Sequence, residues 1–390
     1  MKPVFIVDAV RTPIGRLRGQ LAAIRADHLS AALLTELLAR QDLEPDVVDD
    51  VVFGCVTQVG EQSGNIARTA LLSAGWPTTI PGMTVDRKCG SGEAAIHVAT
   101  GLIAGNSAEV IIAGGAESMS RVPMGGNRDV HGEVLGWRVT ERFDIRSQGE
   151  AAERICDKWN LTRDELDDYA SESHRRAAQA TDRGYFQREI VPIAPDDWCE
   201  RSSPGARDAV AADETIRRDS SRVKLANLRP SFRTGGRLTA GNSSQIADGA
   251  AAVLIMSGTA LGRLGVRPRG RIVSTVTVGS DPELMLTGPI AAARLAASRA
   301  HLRFDEIALF EVNEAFAPVP LIWMRELGIG PERLNVNGGA IALGHPLGAT
   351  GARIMTSLLG ELERTGARYG LQAICCAGGM ATATVIERLG

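Results

Sequence analysis

The sequence has no surplus of charge. Lys plus Arg number 43 against 46 Asp plus Glu in 390 residues, a net of −3, so no basic field draws in nucleic acid or an anionic membrane surface. It also has no run approaching the roughly 18 apolar residues of a membrane span. The apolar stretch Val4 to Val7 meets the charges of Asp8 and Arg11 too soon to form a signal-peptide core. The six cysteines include no CxxC pair, and there is no small secreted scaffold to staple, so reduced thiols in a cytoplasmic setting are expected. A cysteine of special character would then be catalytic.

What is present is a globular composition, 44% hydrophobic over 390 residues, long enough for two or three domains. Short apolar runs bounded by glycine alternate with alanine-rich helical stretches: Val4 to Val7, Asp50 to Gly54, Glu109 to Ala113, Ala251 to Met256, Ile307 to Glu311 and Ala373 to Cys376. Continuous apolarity, without alternation, predicts strands covered by helices on both faces, hence an α/β fold. An internal echo is visible as well. The stretch Glu109 to Gly115 and the stretch Leu371 to Gly379 each read as a strand ending in a double glycine after a long helix, about Gly92 to Ala104 and Gly351 to Arg364. Two related halves would explain it. From about Ser118 to Ile246 the composition turns charged and irregular, with a polar helix predicted over Arg163 to Thr181 and a loop over Ala194 to Asp213. This reads as an insertion lying over one half.

Four segments carry candidate chemistry. In Thr84 to Gly92, Cys89 stands just before Gly90 and Gly92 at a strand-to-helix turn, where the helix dipole and free N–H groups favour a thiolate; a buried structural cysteine is the other reading. In Asn335 to Gly351, glycines surround His345 at a helix entry, a backbone that passes close to a ligand. A phosphate-cradling loop competes, although neither GxGxxG nor GxxxxGK[ST] is matched. Cys375, Cys376 and Ala377 end a strand in small residues whose N–H groups could hold an oxyanion, a vicinal disulfide or metal pair being the alternatives. Asn313-Glu314-Ala315-Phe316 follows a strand and alone is only a polar turn. The other histidines, His28, His97, His131, His174 and His301, read as surface or satisfied core residues without partners, and Cys55, Cys156 and Cys199 as structural.

Together these segments resemble the thiolase family, in its order and over essentially the whole chain. Val7 to Pro13 resembles its N-terminal strand signature, Gly114 to Ser120 its GGxExMS turn, and Thr239 to Ser244 its TAGN(A/S)S segment. The resemblance implies two similar αβαβα layered halves, residues 1–117 with 247–268 and residues 269–390, and an inserted loop domain, 118–246. It implies that Cys89 takes the acyl group, that His345 activates it, and that Cys375 moves the proton at the α-carbon. Asn313, through a water, and His345 would form one oxyanion hole, and the N–H groups of Cys89 and Ala377 the other. Coenzyme A would be substrate, with no permanently bound cofactor or metal, and would lie against Ser244, Arg217, Gln148 and Phe316.

The chemistry agrees with that division of labour. Cleaving a 3-ketoacyl thioester calls for a soft nucleophile that can leave again as a thiolate. Charge develops on two oxygens in turn, which calls for two sets of donors, and a carbon acid calls for a separate base. The expected activity is therefore thiolysis of 3-ketoacyl-CoA, or the reverse condensation, in lipid metabolism such as fatty-acid β-oxidation. Acetyl-CoA C-acetyltransferase making acetoacetyl-CoA is the nearest alternative. A decarboxylating ketoacyl synthase would carry two histidines in place of His345 and Cys375, and a non-catalytic acyl-CoA binding protein would be expected to lose Cys89 or His345. Ser147-Gln148 stands where short-chain members have His-Met, which implies a pocket wider than acetoacetyl. A homo-oligomer, tetramer or dimer, is expected.

Overall fold

The continuous apolar runs form the most deeply buried strands. In the computed structural model, which describes residues 2–128, 131–199 and 208–390, every residue of Val110–Ser118 and of Ala247–Ser257 is buried. Ten strands are described: β1 Val4–Arg11, β2 Gly15–Arg16, β3 Asp50–Gly54, β4 Gly82–Val85, β5 Val110–Ser118, β6 Ala247–Ser257, β7 Gly270–Gly279, β8 Leu309–Val312, β9 Tyr369–Cys376 and β10 Met380–Arg388. They follow one path, β4-β3-β5-β6-β1-β7-β10-β9-β8, with β2 beside β6. Only Val4 to Ile6 of β1, paired with Gly270 to Ile272 of β7, join the two halves of that path.

The halves repeat one pattern, as the double-glycine echo suggests. β5 has a parallel neighbour, β3, on one side and an antiparallel one, β6, on the other; β9 has parallel β8 and antiparallel β10. Each is preceded by a helix, Ser91–Ala104 or Thr350–Thr365. These two helices pack on each other, and each touches strands of both halves, so they form the middle of five layers. Ala26–Ala39 and Ile66–Ser73 cover one outer face, and Gly288–Arg299 and Pro318–Leu327 the other.

Close approach of the two central helices requires glycine. A Cβ on Gly351 would lie 2.0 Å from the Glu93 nitrogen, and one on Gly92 would lie 2.6 Å from the Gly348 oxygen. The N-terminal ends of the two helices are thereby pressed together. Cys89 precedes one and His345 the other, so their meeting assembles the site.

The helix predicted over Arg163 to Thr181 spans Arg163–Asp182 and buries Leu166, Ala170, Ser173, His174, Ala177 and Ala180. These residues form one stripe at helical spacing, beside which the charged Asp167 is also buried, paired with Arg163. The expected loop Ala194 to Asp213 contains a short helix, Pro195–Trp198, and its residues 200–207 lie outside the described residues.

Four described strands, the short β2 and β4 and the longer β7 and β10, lie outside the continuous apolar runs. β7 alternates, with Ile272, Ser274 and Val276 buried between more exposed neighbours. β10 is buried but carries Thr382 and Thr384, whose hydroxyls bond Glu93 of the opposite half at 2.6 and 2.5 Å.

Candidate active site

The turn that carries Cys89 is fixed before any ligand arrives. Lys88 takes a left-handed conformation, φ 51°, held by Asp86, which accepts from its N–H at 2.7 Å and from its ammonium at 2.5 Å. The Ser91 hydroxyl accepts from Arg87 N–H at 2.8 Å and donates to the Lys88 carbonyl at 2.6 Å. Cys89 is then buried at the entry to the Ser91–Ala104 helix. Across from it, a Cβ on Gly90 would lie 2.5 Å from the Cys376 sulfur, so the turn sits directly against the end of β9.

Burial pushes the Cys89 thiol up to about 11, against the opposing pull of its own N–H and that of Ala377. The expectation of a depressed thiol is therefore corrected for the unliganded protein. The helix-end donors are present, but the loss of hydration outweighs them. Both N–H groups nevertheless point at the position where a charged atom would be held. Ala377 adopts no left-handed backbone; Gly378 and Gly379 take φ of 89° and 75°, so its methyl is accommodated. Cys375 is buried, and its thiol lies well above the ordinary range because of that burial and then the nearby Cys89. Cys375 and Cys376 are free thiols, not a vicinal bridge.

His345 is held from both ends. Its backbone N–H donates to the Gln245 carbonyl at 3.0 Å, and its Nδ1 lies 2.6 Å from the Thr350 hydroxyl. Thr350 has one hydroxyl proton and directs it at the Pro346 carbonyl, 2.9 Å away. Nδ1 therefore carries the imidazole hydrogen and Nε2 keeps its lone pair. Burial, helped by Arg353, lowers the His345 pKa to about 3, so the ring is neutral. The Asn313 amide nitrogen lies 3.3 Å from Nε2. The other end of that amide, Oδ1, is buried without a partner.

A cavity of about 840 Å³ opens onto His345, and Gln148, Arg217, Ser244 and Phe316 all line it. A smaller pocket beside it is lined by Cys89, Lys88, Val56 and Thr57, and shares Gln148 and Leu347 with the larger one. Ser147 caps the helix Gln148–Lys158, its hydroxyl accepting from Glu150 N–H at 3.2 Å, which fixes Gln148 at the junction. Phe316 stacks edge-on against Phe232 at 5.6 Å. Of three clustered arginines, Arg218 and Arg222 pair with Asp182 and Asp164. Arg217 instead faces the cavity, with Asp219 near enough to feel its charge but in no close ion pair with it among the described residues. Cys89, His345, Gln148, Arg217, Ser244 and Phe316 thus line this cavity or the Cys89 pocket, Cys375 and Ala377 lie at the end of β9, and Asn313, just past β8, reaches the site through His345.

Sequence reasoning missed the residues that hold the loops together. Glu117 is buried and accepts from the N–H groups of Val56, Thr57 and Gly348 at 3.0, 2.9 and 2.9 Å and from Gln62 at 3.1 Å. It ties the His345 loop to the first half. Glu314 accepts from Tyr169, Ser173, Asn335 and Ile341 N–H at 2.8, 2.7, 3.0 and 3.1 Å, which joins the inserted helix to that loop. Both carboxylates lie inside quoted motifs, and a charge among glycines and small residues was the available signal. The histidines read as partnerless also differ: His28, His97 and His174 meet the Trp198 carbonyl, the Thr384 hydroxyl and the Arg217 N–H at 2.8, 2.8 and 3.1 Å.

The geometry is that of an enzyme with a buried thiol, a neutral imidazole and paired backbone donors. Residues 4–259 match the thiolase N-terminal domain and residues 266–388 the thiolase C-terminal domain. The chain belongs to the thiolase family and is an acyltransferase. It is 45% identical, over its whole length and 95% of the relative, to a steroid 3-ketoacyl-CoA thiolase, FadA6, of Mycobacterium tuberculosis. It is 43% identical, over all of both chains, to a 3-ketoacyl-CoA thiolase of Erwinia tasmaniensis. Among solved structures, the acetyl-CoA acetyltransferase of Bacillus anthracis superposes with a TM-score of 0.91 at 38% identity, covering 100% of this chain and 99% of that one.

Proposed function

We propose that the protein cleaves 3-ketoacyl-CoA with CoA to acetyl-CoA and a shortened acyl-CoA, through an acyl group carried on Cys89. The observation that carries this reading is a thiol met by two backbone N–H groups, its own and that of Ala377, beside the cavity into which the neutral His345 opens. The high thiol pKa and low imidazole pKa make a resting thiolate–imidazolium pair unfavourable. His345 Nε2 therefore takes the proton as sulfur attacks the carbonyl, and the two N–H groups meet the charge that forms on oxygen. Cys375, a neutral thiol next to Cys89, returns a proton to the α-carbon of the departing acetyl unit. Water held by the free Oδ1 of Asn313, with His345, serves the second oxyanion.

CoA lies in the 840 Å³ cavity, with Ser244, Phe316 and Gln148 along the pantetheine and Arg217 toward the phosphates. Names borne by the relatives, and Ser147-Gln148 at the junction, favour a chain longer than acetoacetyl in the degradative direction. We assign residues 1–117 with 247–268, 118–246 and 269–390 as two halves and a loop domain, a division supported by the three-residue ladder between β1 and β7. Exposed Val134, Trp137, Val139 and Phe143 support a homo-oligomer, readable by sedimentation velocity. No helix among the described residues is long and apolar enough to cross a membrane, in keeping with a cytoplasmic enzyme.

Thiolysis rates across 3-ketoacyl-CoA esters of increasing length test the reading. Measurable turnover that holds or rises beyond acetoacetyl-CoA is expected, together with complete loss in Cys89→Ala. A Cys89→Ala enzyme that still turned over would remove the nucleophile assignment.

A further inference from the structure

Arg217, Thr215 and Ser244 line the larger cavity alone, and Val56, Thr57, Lys88 and Asn127 line the Cys89 pocket alone. A substrate whose nucleotide lies at the Arg217 end threads its pantetheine down the larger cavity, and the acyl chain beyond a thioester at Cys89 meets the residues around Cys89, among them the wall that its pocket shares with that cavity. Five residues form that shared wall: Met124, Gly125, Arg128, Gln148 and Leu347. Arg128 is its single formal charge. Its backbone is fixed by an N–H bond to the Gly125 carbonyl at 2.8 Å, and its side chain is exposed. Among the described residues no carboxylate pairs with the Arg128 guanidinium, and no Asp or Glu lines the Cys89 pocket. Lys88, the other cation there, is already neutralised by Asp86 at 2.5 Å.

We propose that Arg128 is a specificity-determining residue that selects 3-ketoacyl-CoA thioesters whose acyl chain ends in a carboxylate. The proposal rests on the thiolase reading above. Met124 and Leu347 supply apolar contact for methylene groups, and the guanidinium offers a planar fork that a carboxylate meets with two hydrogen bonds. A methyl terminus at the same place gains nothing from the charge. Filling the cavity with CoA displaces water and strengthens the pair.

The test compares kcat/KM for thiolysis of 3-oxoadipyl-CoA and 3-oxohexanoyl-CoA, which have equal chain length and differ by carboxylate for methyl, with acetoacetyl-CoA measured alongside. The wild-type enzyme should favour the carboxylated ester by about ten-fold or more. Arg128→Gln should bring that ratio close to one, and Arg128→Lys should restore part of it. A ratio within one enzyme preparation does not depend on how much of a variant is folded. Equal values for the two esters in wild type, or a ratio unmoved in Arg128→Gln, would overturn the assignment. Thiolysis of acetoacetyl-CoA without a carboxylate preference defeats only the role of Arg128, whereas no thiolysis of any of the three defeats the thiolase reading and this proposal with it.

Discussion

Cys89 and Cys375 are neighbours, yet they can be separated because their proposed tasks fall in different half-reactions. Cys89 is needed whenever an acyl group enters or leaves the enzyme; Cys375 is needed only when a proton joins or leaves carbon. Serine in place of Cys375 keeps the size but offers a hydroxyl that ionises far above neutral pH. Cys375→Ser should therefore still acquire an acetyl group from acetyl-CoA, visible as a mass increase of the intact chain, while losing deuterium exchange into the acetyl methyl group. Near wild-type exchange in that variant would move the proton-transfer role to another group, His345 first. The same residues mark the limit of local reading. That Cys89 precedes a helix was legible; that burial raises its thiol to about 11 depends on β9 and the His345 loop closing over it, which no local pattern contains.

At the scale of elements, the site is a meeting of loops that glycine permits and buried carboxylates hold. Gly348 has extended or helical backbone but no room: a Cβ there would stand 2.4 Å from the carbonyl oxygens of both Ala116 and Gly54. Gly348→Ala must push the His345 loop away from Glu117. It should cost about 1–3 kcal/mol as an overpacking change and reduce thiolysis by more than the folded fraction explains. Gly101, in the Ser91–Ala104 helix, is the contrast, because a Cβ there meets nothing within 4 Å. Gly101→Ala should raise stability by about 0.5–1 kcal/mol with activity kept. Thermal midpoints and rates on the same preparations check both. The glycine-rich loops were legible because tight turns select residue type locally. β7 and β10 were not, since their Ser and Thr hydroxyls are matched by distant partners, Ser274 by the Ala296 carbonyl at 2.8 Å and Thr382 and Thr384 by Glu93. Side chains of this kind look exposed until the chain has folded.

Across the whole molecule, neutral imidazoles buried in the native state make stability depend on pH. His174, on the inserted helix, accepts from Arg217 N–H at 3.1 Å, and burial followed by the Arg217 charge lowers its pKa to about 4. His345 is lowered to about 3. In the unfolded chain each returns to an ordinary value near 6.5. Above about pH 6.5 both states carry neutral rings and the two histidines contribute no slope. Between that pH and the native values the unfolded chain binds protons that the native protein refuses, so stability falls as the solution is acidified. The loss is up to about 1.4 kcal/mol per pH unit for each group. His174→Gln keeps a hydrogen-bond acceptor toward Arg217 and cannot be protonated, so it should remove one share of that slope. Urea unfolding at several pH values from 7 to 4.5 should show parallel stabilities near neutrality and a shallower decline for the variant. The midpoint of catalysis should behave differently, because His345 stays neutral well below pH 6. An acid limb of kcat/KM centred near 6.5 and unchanged in His174→Gln would show that His345 titrates as an ordinary exposed histidine, contrary to its burial against Thr350 and Arg353.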